Sequence, residues 1–355
     1  MIPSSISFLK LNNDKTKLGV CKSNLTNSVW NGSVEFFDIN NNIINNNNNN
    51  NNNNKKFNEI PNKSIPFYSG TTCLEWIDNE KCLVSGDDSN IYLLNSCLKE
   101  NDNEDKPSKK NILKDDDILF EKVHNNSIIS HLNLNLNTKQ LLSSGWDKLI
   151  KQWDINTNSL ISEFSLHYKK INQTIWSEFN DFLFLSASDN GIVIWDSRIN
   201  ISNIGNNGGN KNKSIFLNET NGIPVNSICW SKENDYLFYA GLKNGTIKQF
   251  DIRVLTPPPT TNSIDNSNDN DNNKNWKLHE LGINQLSFNE NNFNELISIS
   301  DDSYLKIFNI KTQEIIFKYK SLDFIKSFDL LLNNNNNNNN LIIGSIDNNL
   351  NILNF

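Results

Sequence analysis

The sequence predicts an all-β fold, a seven-bladed β-propeller with Asn-rich insertions in its loops. The first observation is that β-prone runs such as "QLLSS" are followed by a polar turn and an alternating run such as "LIKQWDI". This pattern is typical of antiparallel hairpins. The second is that the pattern recurs seven times. The third is a period of about 40 residues outside the Asn-rich segments, which is typical of four-stranded propeller blades.

The seven repeats share one layout. A polar turn residue stands six positions before the residue that ends each hairpin, as Asn31 stands before Phe37 in the first repeat. A further apolar stretch, such as "INQTIW", precedes each hairpin, and the fourth strand is assigned to the connecting segment. The repeats are placed at about 6–39, 68–98, 123–156, 166–199, 222–254, 278–311 and 321–355, within one domain covering 6–355.

Five polar segments interrupt the repeats, at 40–56, 99–116, 200–214, 256–275 and 333–340. They lack the apolar side chains that would offset the entropy of ordering, so the sequence predicts disordered loops there. The last blade is expected to have three strands or to be closed by a very short strand. This follows because only residues 1–5 precede the first strand, and the chain ends after the third strand of repeat seven.

The net charge of −7 and the pI of about 5.2 disfavour nucleic acid or an anionic membrane as the main partner. No apolar run is long enough to span a bilayer, and the first residues, "MIPSSISFLK", do not resemble a signal peptide. The five scattered cysteines predict neither a disulfide framework nor a metal site. We expect a soluble, non-secreted protein without a metal or cofactor.

Histidine spacing and the Trp-Asp endings resemble the WD repeat. In that family a His, a strand Ser or Thr, the turn Asp and the Trp form a buried hydrogen-bond network. The resemblance assigns this structural role to His124, Ser143, Asp147 and Trp153, to His167, Ser186, Asp189 and Trp195, and to His279 and Asp302. A Ser-His-Asp set also suggests a hydrolase triad, but repetition at a spacing that defines the fold favours structure over catalysis.

A second Trp-Asp pair, Trp146-Asp147, places an aromatic residue inside a turn. Turns at a propeller rim are usually polar. The sequence leaves two interpretations open for Trp146: an exposed anchor for a partner, or local packing.

Three stretches resemble the methylosome protein 50 (WD repeat-containing protein 77) family, which accompanies the type II protein arginine methyltransferase. They are "CKSNLTNSVWNGSVEFFD" at 21–38, "TTCLEWIDNEKCLVSGDDSNIYLL" and "FLFLSASDNGIVIWDSR". The resemblance implies a non-catalytic subunit of a hetero-oligomer, found in cytoplasm and nucleus. It would help present Arg-rich substrates, such as Sm proteins and histones, in spliceosomal snRNP assembly. It also implies that Trp30, beside Asn31, inserts into a pocket of the methyltransferase.

Two other functions compete. The endings "WDSR" at 195–198 and "FDIR" at 250–253 resemble the motif of substrate receptors in cullin-RING ubiquitin ligases. A generic WD40 scaffold is the other alternative. An enzyme ranks last, because the sequence contains no GxGxxG, GxxxxGK[ST], HExxH or GxSxG motif.

Overall fold

The computed structural model describes most of the chain, namely residues 4–26, 29–39, 54–57, 59–97, 113, 117–198, 215–217, 220–253, 274–331 and 340–355. Within these residues the strands form seven four-stranded antiparallel sheets. The sheets are the blades of a propeller, which confirms the predicted fold class.

The strands of the first four blades follow one another along the chain with one exception, β4. Blade 1 contains β1 (Ser5–Leu11), β2 (Lys17–Thr26), β3 (Val29–Asp38) and β5 (Lys63–Phe67). Blade 2 contains β6 (Thr71–Trp76), β7 (Lys81–Gly86), β8 (Ile91–Asn95) and β9 (Ile118–Phe120). Blade 3 contains β10 (Ile129–Asn135), β11 (Gln140–Gly145), β12 (Ile150–Asp154) and β13 (Ser159–Phe164). Blade 4 contains β14 (Ile171–Trp176), β15 (Leu183–Ser188), β16 (Gly191–Asp196) and β17 (Ile215–Leu217).

The remaining three blades complete the ring. Blade 5 contains β18 (Val225–Trp230), β19 (Leu237–Leu242), β20 (Thr246–Asp251) and β21 (Asn275–Lys277). Blade 6 contains β22 (Ile283–Asn289), β23 (Asn292–Ser300), β24 (Tyr304–Asn309) and β25 (Glu314–Lys320). Blade 7 contains β26 (Ile325–Leu331), β27 (Asn340–Ser345), β28 (Leu350–Asn354) and β4 (Asn54–Lys56).

The hydrophobic core lies between neighbouring blades. Both faces of a middle strand are covered, so β15 reads "LFLSAS" with five of its six residues buried, rather than alternating. Its Leu185 and Ala187 belong to one apolar cluster with Val225 and Ile228 of the next blade. Burial between blades therefore joins the seven sheets into one body.

Side chains from one blade satisfy the inner strand of the next. An inner strand is an edge, with backbone groups that its own sheet does not use. Asn133 Oδ1 accepts the Trp176 N–H at 2.7 Å, and Gln173 Oε1 accepts the Ile228 N–H at 2.7 Å. Between the last and first blades, Ser327 Oγ accepts the Leu9 N–H at 3.2 Å. These bonds fix each blade against its neighbour.

The last blade is closed from inside the first. β4 pairs with β28, with Lys56 opposite Asn351, and the chain then returns to form β5. Phe57 is buried beside the new strand, and its ring lies 5.4 Å from that of Phe37. Blade 7 thus has four strands, and the prediction of three strands is wrong. The alternative, closure by a very short strand, is confirmed by the three residues of β4.

Parts of the predicted insertions belong to the sheets. Residues 54–56 were placed in the first insertion, but they form β4. In the same way, Asn275 begins β21 and Asn340 begins β27. Backbone hydrogen bonds form these strand ends without apolar side chains, so composition could not show them. Most other residues of the five segments lie outside the described ranges.

Candidate functional site

The network predicted for blade 3 is present in full. His124 Nδ1 lies 2.9 Å from Asp147 Oδ1, and His124 Nε2 lies 2.9 Å from Ser143 Oγ. The Trp153 indole N–H donates to the same hydroxyl at 3.0 Å. The Asp147 carboxylate can only accept, so the His124 ring donates to it from Nδ1. In that tautomer Nε2 accepts from the Ser143 hydroxyl, whose oxygen accepts from Trp153. The network joins the connection before β10 to β11, to β12 and to the turn between them.

In blade 4 the network ends on a different residue from the predicted one. Trp195 donates to Ser186 Oγ at 2.7 Å, and His167 Nε2 lies 2.6 Å from that oxygen. His167 Nδ1, however, faces Asn190 Oδ1 at 3.3 Å. Asp189 lies outside the network and accepts a bond from Asn172 Nδ2 at 2.9 Å. The assignment of Asp189 is therefore corrected to Asn190.

The misassignment has a physical cause in hairpin length. The β15–β16 hairpin closes with the pair Ser188 and Gly191 around a two-residue turn, whereas the last pair of β11–β12 is Ser144 and Ile150. Gly191 has a φ of 126°, which favours glycine and permits the tighter turn. Counting six positions back from Trp195 therefore goes one residue too far and reaches Asp189. Counting 23 residues forward from the His, as in blade 3, finds Asn190.

Blade 6 carries a third version of the network without tryptophan. His279 Nδ1 lies 2.9 Å from Asp302 Oδ2, and His279 Nε2 lies 2.9 Å from Ser298 Oγ. Phe308 occupies the Trp position and offers no N–H. The Ser298 hydroxyl donates to His279 Nε2, and the Lys306 carbonyl oxygen lies 3.3 Å from Ser298 Oγ. The sequence interpretation missed Ser298. The spacing of 19 residues from His to Ser, shared by all three blades, is the signal that finds it.

Burial governs the chemistry of these networks. Burial lowers the pKa of His167 to about 4, although the hydrogen bond to Asn190 acts in the opposite direction. It also lowers the pKa of His279 to about 4, although the negative charge of Asp302 acts to raise it. Both imidazoles are neutral at pH 7. Ser143 and Ser186 are fully buried and already bonded, so no substrate can reach their hydroxyl groups. The networks therefore hold strands in register rather than expose a nucleophile.

The hairpin of blade 1 is longer than its counterparts. β2 and β3 form ten residue pairs, from Lys17 with Asp38 to Thr26 with Val29, whereas β11 and β12 form five. Trp30 pairs with Leu25, one position from the end of the ladder, and its side chain lies outside the described residues. Asn31 is half-buried within β3, opposite Asn24. Asn31 was aligned as a turn residue, and that alignment is corrected.

One face of the ring, the turn face, is built from two kinds of loop. In blades 2 to 7, the turn between the second and third strands bonds to the connection that enters the same blade. The Trp146 N–H donates to the Ile128 carbonyl at 3.0 Å, and the Asp189 N–H donates to the Lys170 carbonyl at 3.3 Å. The blade 1 hairpin reaches this face too, since Thr71 Oγ1 donates to the Lys22 carbonyl at 2.9 Å.

Trp146 is the exposed aromatic residue of a turn on this face. Its side chain is 48% exposed, and Lys170 Nζ lies 5.0 Å from the ring centroid. One surface of the ring packs locally against a lysine and the rest faces solvent, and the role of an anchor for a partner stays a prediction.

On the opposite face, the two Asp-x-Arg endings adopt one geometry. Arg198 bonds both carboxylate oxygens of Asp196, and Arg253 bonds both oxygens of Asp251. The guanidinium groups also stack on aromatic rings, at 4.9 Å from the Phe182 centroid and 3.5 Å from the Tyr236 centroid. Each arginine side chain is 61% exposed.

The inner strands line a central cavity of about 550 Å³. Its charges are largely paired within the wall: Lys10 Nζ lies 2.7 Å from Glu75, and Lys15 Nζ lies 3.6 Å from Asp329. Across the described residues, no cluster of His, Cys, Asp and Glu could hold a metal ion. The same residues include no helix of the length and apolarity needed to cross a membrane.

Comparisons with known proteins agree with this geometry. The WD40 family (WD domain, G-beta repeat) matches residues 118–154, 158–196 and 212–251. Each match begins near the outer strand of one blade and ends with the third strand of the next. The WD40 β-propeller domain of Doa1 superposes with a TM-score of 0.60 at 15% identity, over 99% of this chain and 93% of that one.

Two kinds of relative are similar in sequence. The Xenopus laevis methylosome protein WDR77 is 22% identical over 85% of this chain and 76% of its own length. The ribosome biogenesis protein WDR12 homologue of Culex quinquefasciatus is 30% identical over 118 residues, which are 33% of this chain and a quarter of that protein. Together with the seven blades and their buried networks, these similarities identify the chain as a seven-bladed β-propeller built with WD40 repeats.

Proposed function

We propose that this protein is a non-catalytic adaptor of a methylosome complex, which binds a type II protein arginine methyltransferase and helps present Arg-rich substrates. The coarser statement, a WD40 propeller that serves as a protein-interaction scaffold, rests on the fold and the repeat matches. The finer one is supported by the similarity to the methylosome protein WDR77 over most of both chains.

The single observation that carries the proposal is the long hairpin of blade 1. Its ladder brings Trp30 to within one pair of the turn, on a face where the hairpins of other blades end sooner. A tryptophan on such a hairpin gives a large rigid anchor of the kind that dominates protein interfaces. Asn31, the neighbouring residue, is held in the same ladder.

The charge of the turn face supports the substrate part of the proposal. Around blades 6 and 7 this face carries Glu280 and Asp323, close in sequence to the exposed Leu281 and Leu322. It also carries Asp301, which is paired with Lys326 at 3.2 Å. Carboxylates beside apolar side chains favour cationic peptides and would raise their local concentration near a bound enzyme. Sm protein tails and histones have this charge.

Trp30→Ala tests the proposal. The variant should weaken methyltransferase binding by about 2 kcal/mol or more, roughly 30-fold in Kd, as truncated anchor residues do. Titration calorimetry against the purified enzyme measures the change. Leu160→Ala is the control, since it removes an apolar side chain that is 47% exposed on β13, outside the blade 1 hairpin, and it should leave the affinity unchanged. Equal affinities for Trp30→Ala and the wild type would reject the anchor.

A substrate receptor of a cullin-RING ubiquitin ligase is the second candidate. The observation in its favour is the pair of exposed arginines, Arg198 and Arg253, held in one geometry on adjacent blades. Affinity purification followed by mass spectrometry separates the candidates. Recovery of a cullin adaptor, lost in an Arg198→Ala and Arg253→Ala variant, would favour this candidate over the methylosome.

A further inference from the structure

A patch on the turn face of blades 3 and 4 combines aromatic surface with positive charge. The patch comprises Trp146, Lys148, Leu166, Tyr168, Lys169 and Lys170. The β12–β13 ladder pairs Ile150 with Phe164, so the chain beyond Phe164 runs beside the 146–149 turn. Tyr168 is 62% exposed and Leu166 41% exposed, which adds to the open part of Trp146.

The local charge of this patch is opposite to that of the chain. Lys148 and Lys169 are exposed, and Lys170 lies against the indole ring. The nearby carboxylates are engaged: Asp147 bonds His124, and Asp189 bonds Asn172 and lies 4.0 Å from Lys170. Three lysines stand against these two carboxylates, so the patch has a small excess of positive charge in a protein of net charge −7.

The combination of lysine and tryptophan in this patch fits a peptide with acidic and apolar side chains. Carboxylates of a bound peptide would pair with Lys148 and Lys169, and an apolar side chain would cover Trp146 and Tyr168. A polynucleotide fits less well, because three lysines release few counterions and the carboxylates elsewhere on this face repel a long polyanion. A basic peptide would meet like charge here and opposite charge around blades 6 and 7.

We propose that this patch is a docking site for an acidic segment of a partner protein that carries an aromatic or aliphatic side chain. It lies on blades 3 and 4, whereas the Trp30 hairpin belongs to blade 1, so it does not depend on the methyltransferase proposal.

Fluorescence anisotropy with the full chain tests the site. The probe is the labelled peptide EDDELFEDDE, compared with EDDEGSEDDE, with a charge-reversed peptide in which Lys replaces Asp and Glu, and with oligouridylate. The acidic peptide with Leu-Phe should bind best, and added salt should weaken it because its exposed ion pairs are screened. Tighter binding of the basic peptide or of oligouridylate would overturn the proposal.

Variants then locate the binding. Trp146→Ala should weaken the acidic peptide about tenfold, as loss of an interface aromatic does. Lys148→Glu with Lys169→Glu should also weaken it and should flatten the salt dependence. Leu322→Ala with Phe324→Ala, on the acidic side of the same face, is the matched control and should bind like wild type. Thermal melting confirms that each variant is folded. If both the Trp146 variant and the lysine variant bound the acidic peptide like wild type, the patch would not be the binding site.

Discussion

Blades 3 and 4 contain the same chain of Trp, Ser and His, but they end it on different groups. In blade 3 the last member is the carboxylate of Asp147, and in blade 4 it is the amide of Asn190. Each end leaves one buried atom without a partner in the described part of the chain, an acceptor on Asp147 Oδ2 and a donor on Asn190 Nδ2. The comparison shows that the fold needs an acceptor opposite the histidine, and that a charge is not required there.

The largest expected effect is a difference in stability between variants of Asp147 and Asp189, to which the sequence assigns the same structural role. Asp147→Ala should lower the free energy of unfolding by about 3 kcal/mol, because His124 and the Leu149 N–H both lose a buried partner. Asp189→Ala should cost less than about 1 kcal/mol, since its bonds are partly exposed. Urea unfolding of both variants measures the difference. Similar losses would mean that the blades are equivalent after all.

The next effect is a pH dependence that originates in blade 4. The folded pKa of His167 is about 4 because burial disfavours the imidazolium, whereas the unfolded chain titrates near 6.5. Between these values the unfolded state binds the proton and the folded state does not. The contribution of His167 to stability is therefore complete well above pH 6.5 and is lost as the pH falls, by about 1.5 kcal/mol between pH 6.5 and 5.

Unfolding at a series of pH values checks this slope, with His167→Gln as the control. The variant should start less stable at pH 7 and should lose less on acidification than the wild type. Parallel pH profiles would show that His167 does not carry the effect.

The smallest effect is expected when the network of blade 4 is made to end on a carboxylate, as it does in blade 3. Asn190→Asp should raise the pKa of His167, because a carboxylate at that position favours the protonated ring. Stability at pH 7 should change by less than about 1 kcal/mol, since loss of the unpartnered amide donor offsets burial of a charge. NMR titration of the histidine ring gives the pKa. A lowered value would contradict the acceptor role of residue 190.

The sequence predicted the blades because their signals are physical and local. Alternating apolar residues mark half-buried strands, and the fixed spacing of His124 to Ser143 reflects a bond that every copy must make. The turn position of Asn190 was not predicted, because a hairpin shortened by one residue leaves the period almost unchanged while it moves the acceptor. A count from the histidine would have found it.

Ring closure and surface exposure could not be predicted in the same way. β4 is a three-residue strand held by backbone bonds inside an Asn-rich segment, and Phe57 is the apolar residue that anchors it. The environment of Trp146 depends on Lys170, which the next connection brings over the ring. Neither contact leaves a periodic pattern, because both join segments that are distant or irregular in sequence.

The origin of β4 has a consequence for the order of folding. The ring closes only when two contacts between distant segments have formed. Lys56 pairs with Asn351, and the Leu9 N–H bonds to Ser327, 318 positions later. Loops this long raise the contact order and slow the final step of folding. During synthesis β4 therefore emerges long before its partner, because β28, the strand with which it pairs, is Leu350–Asn354.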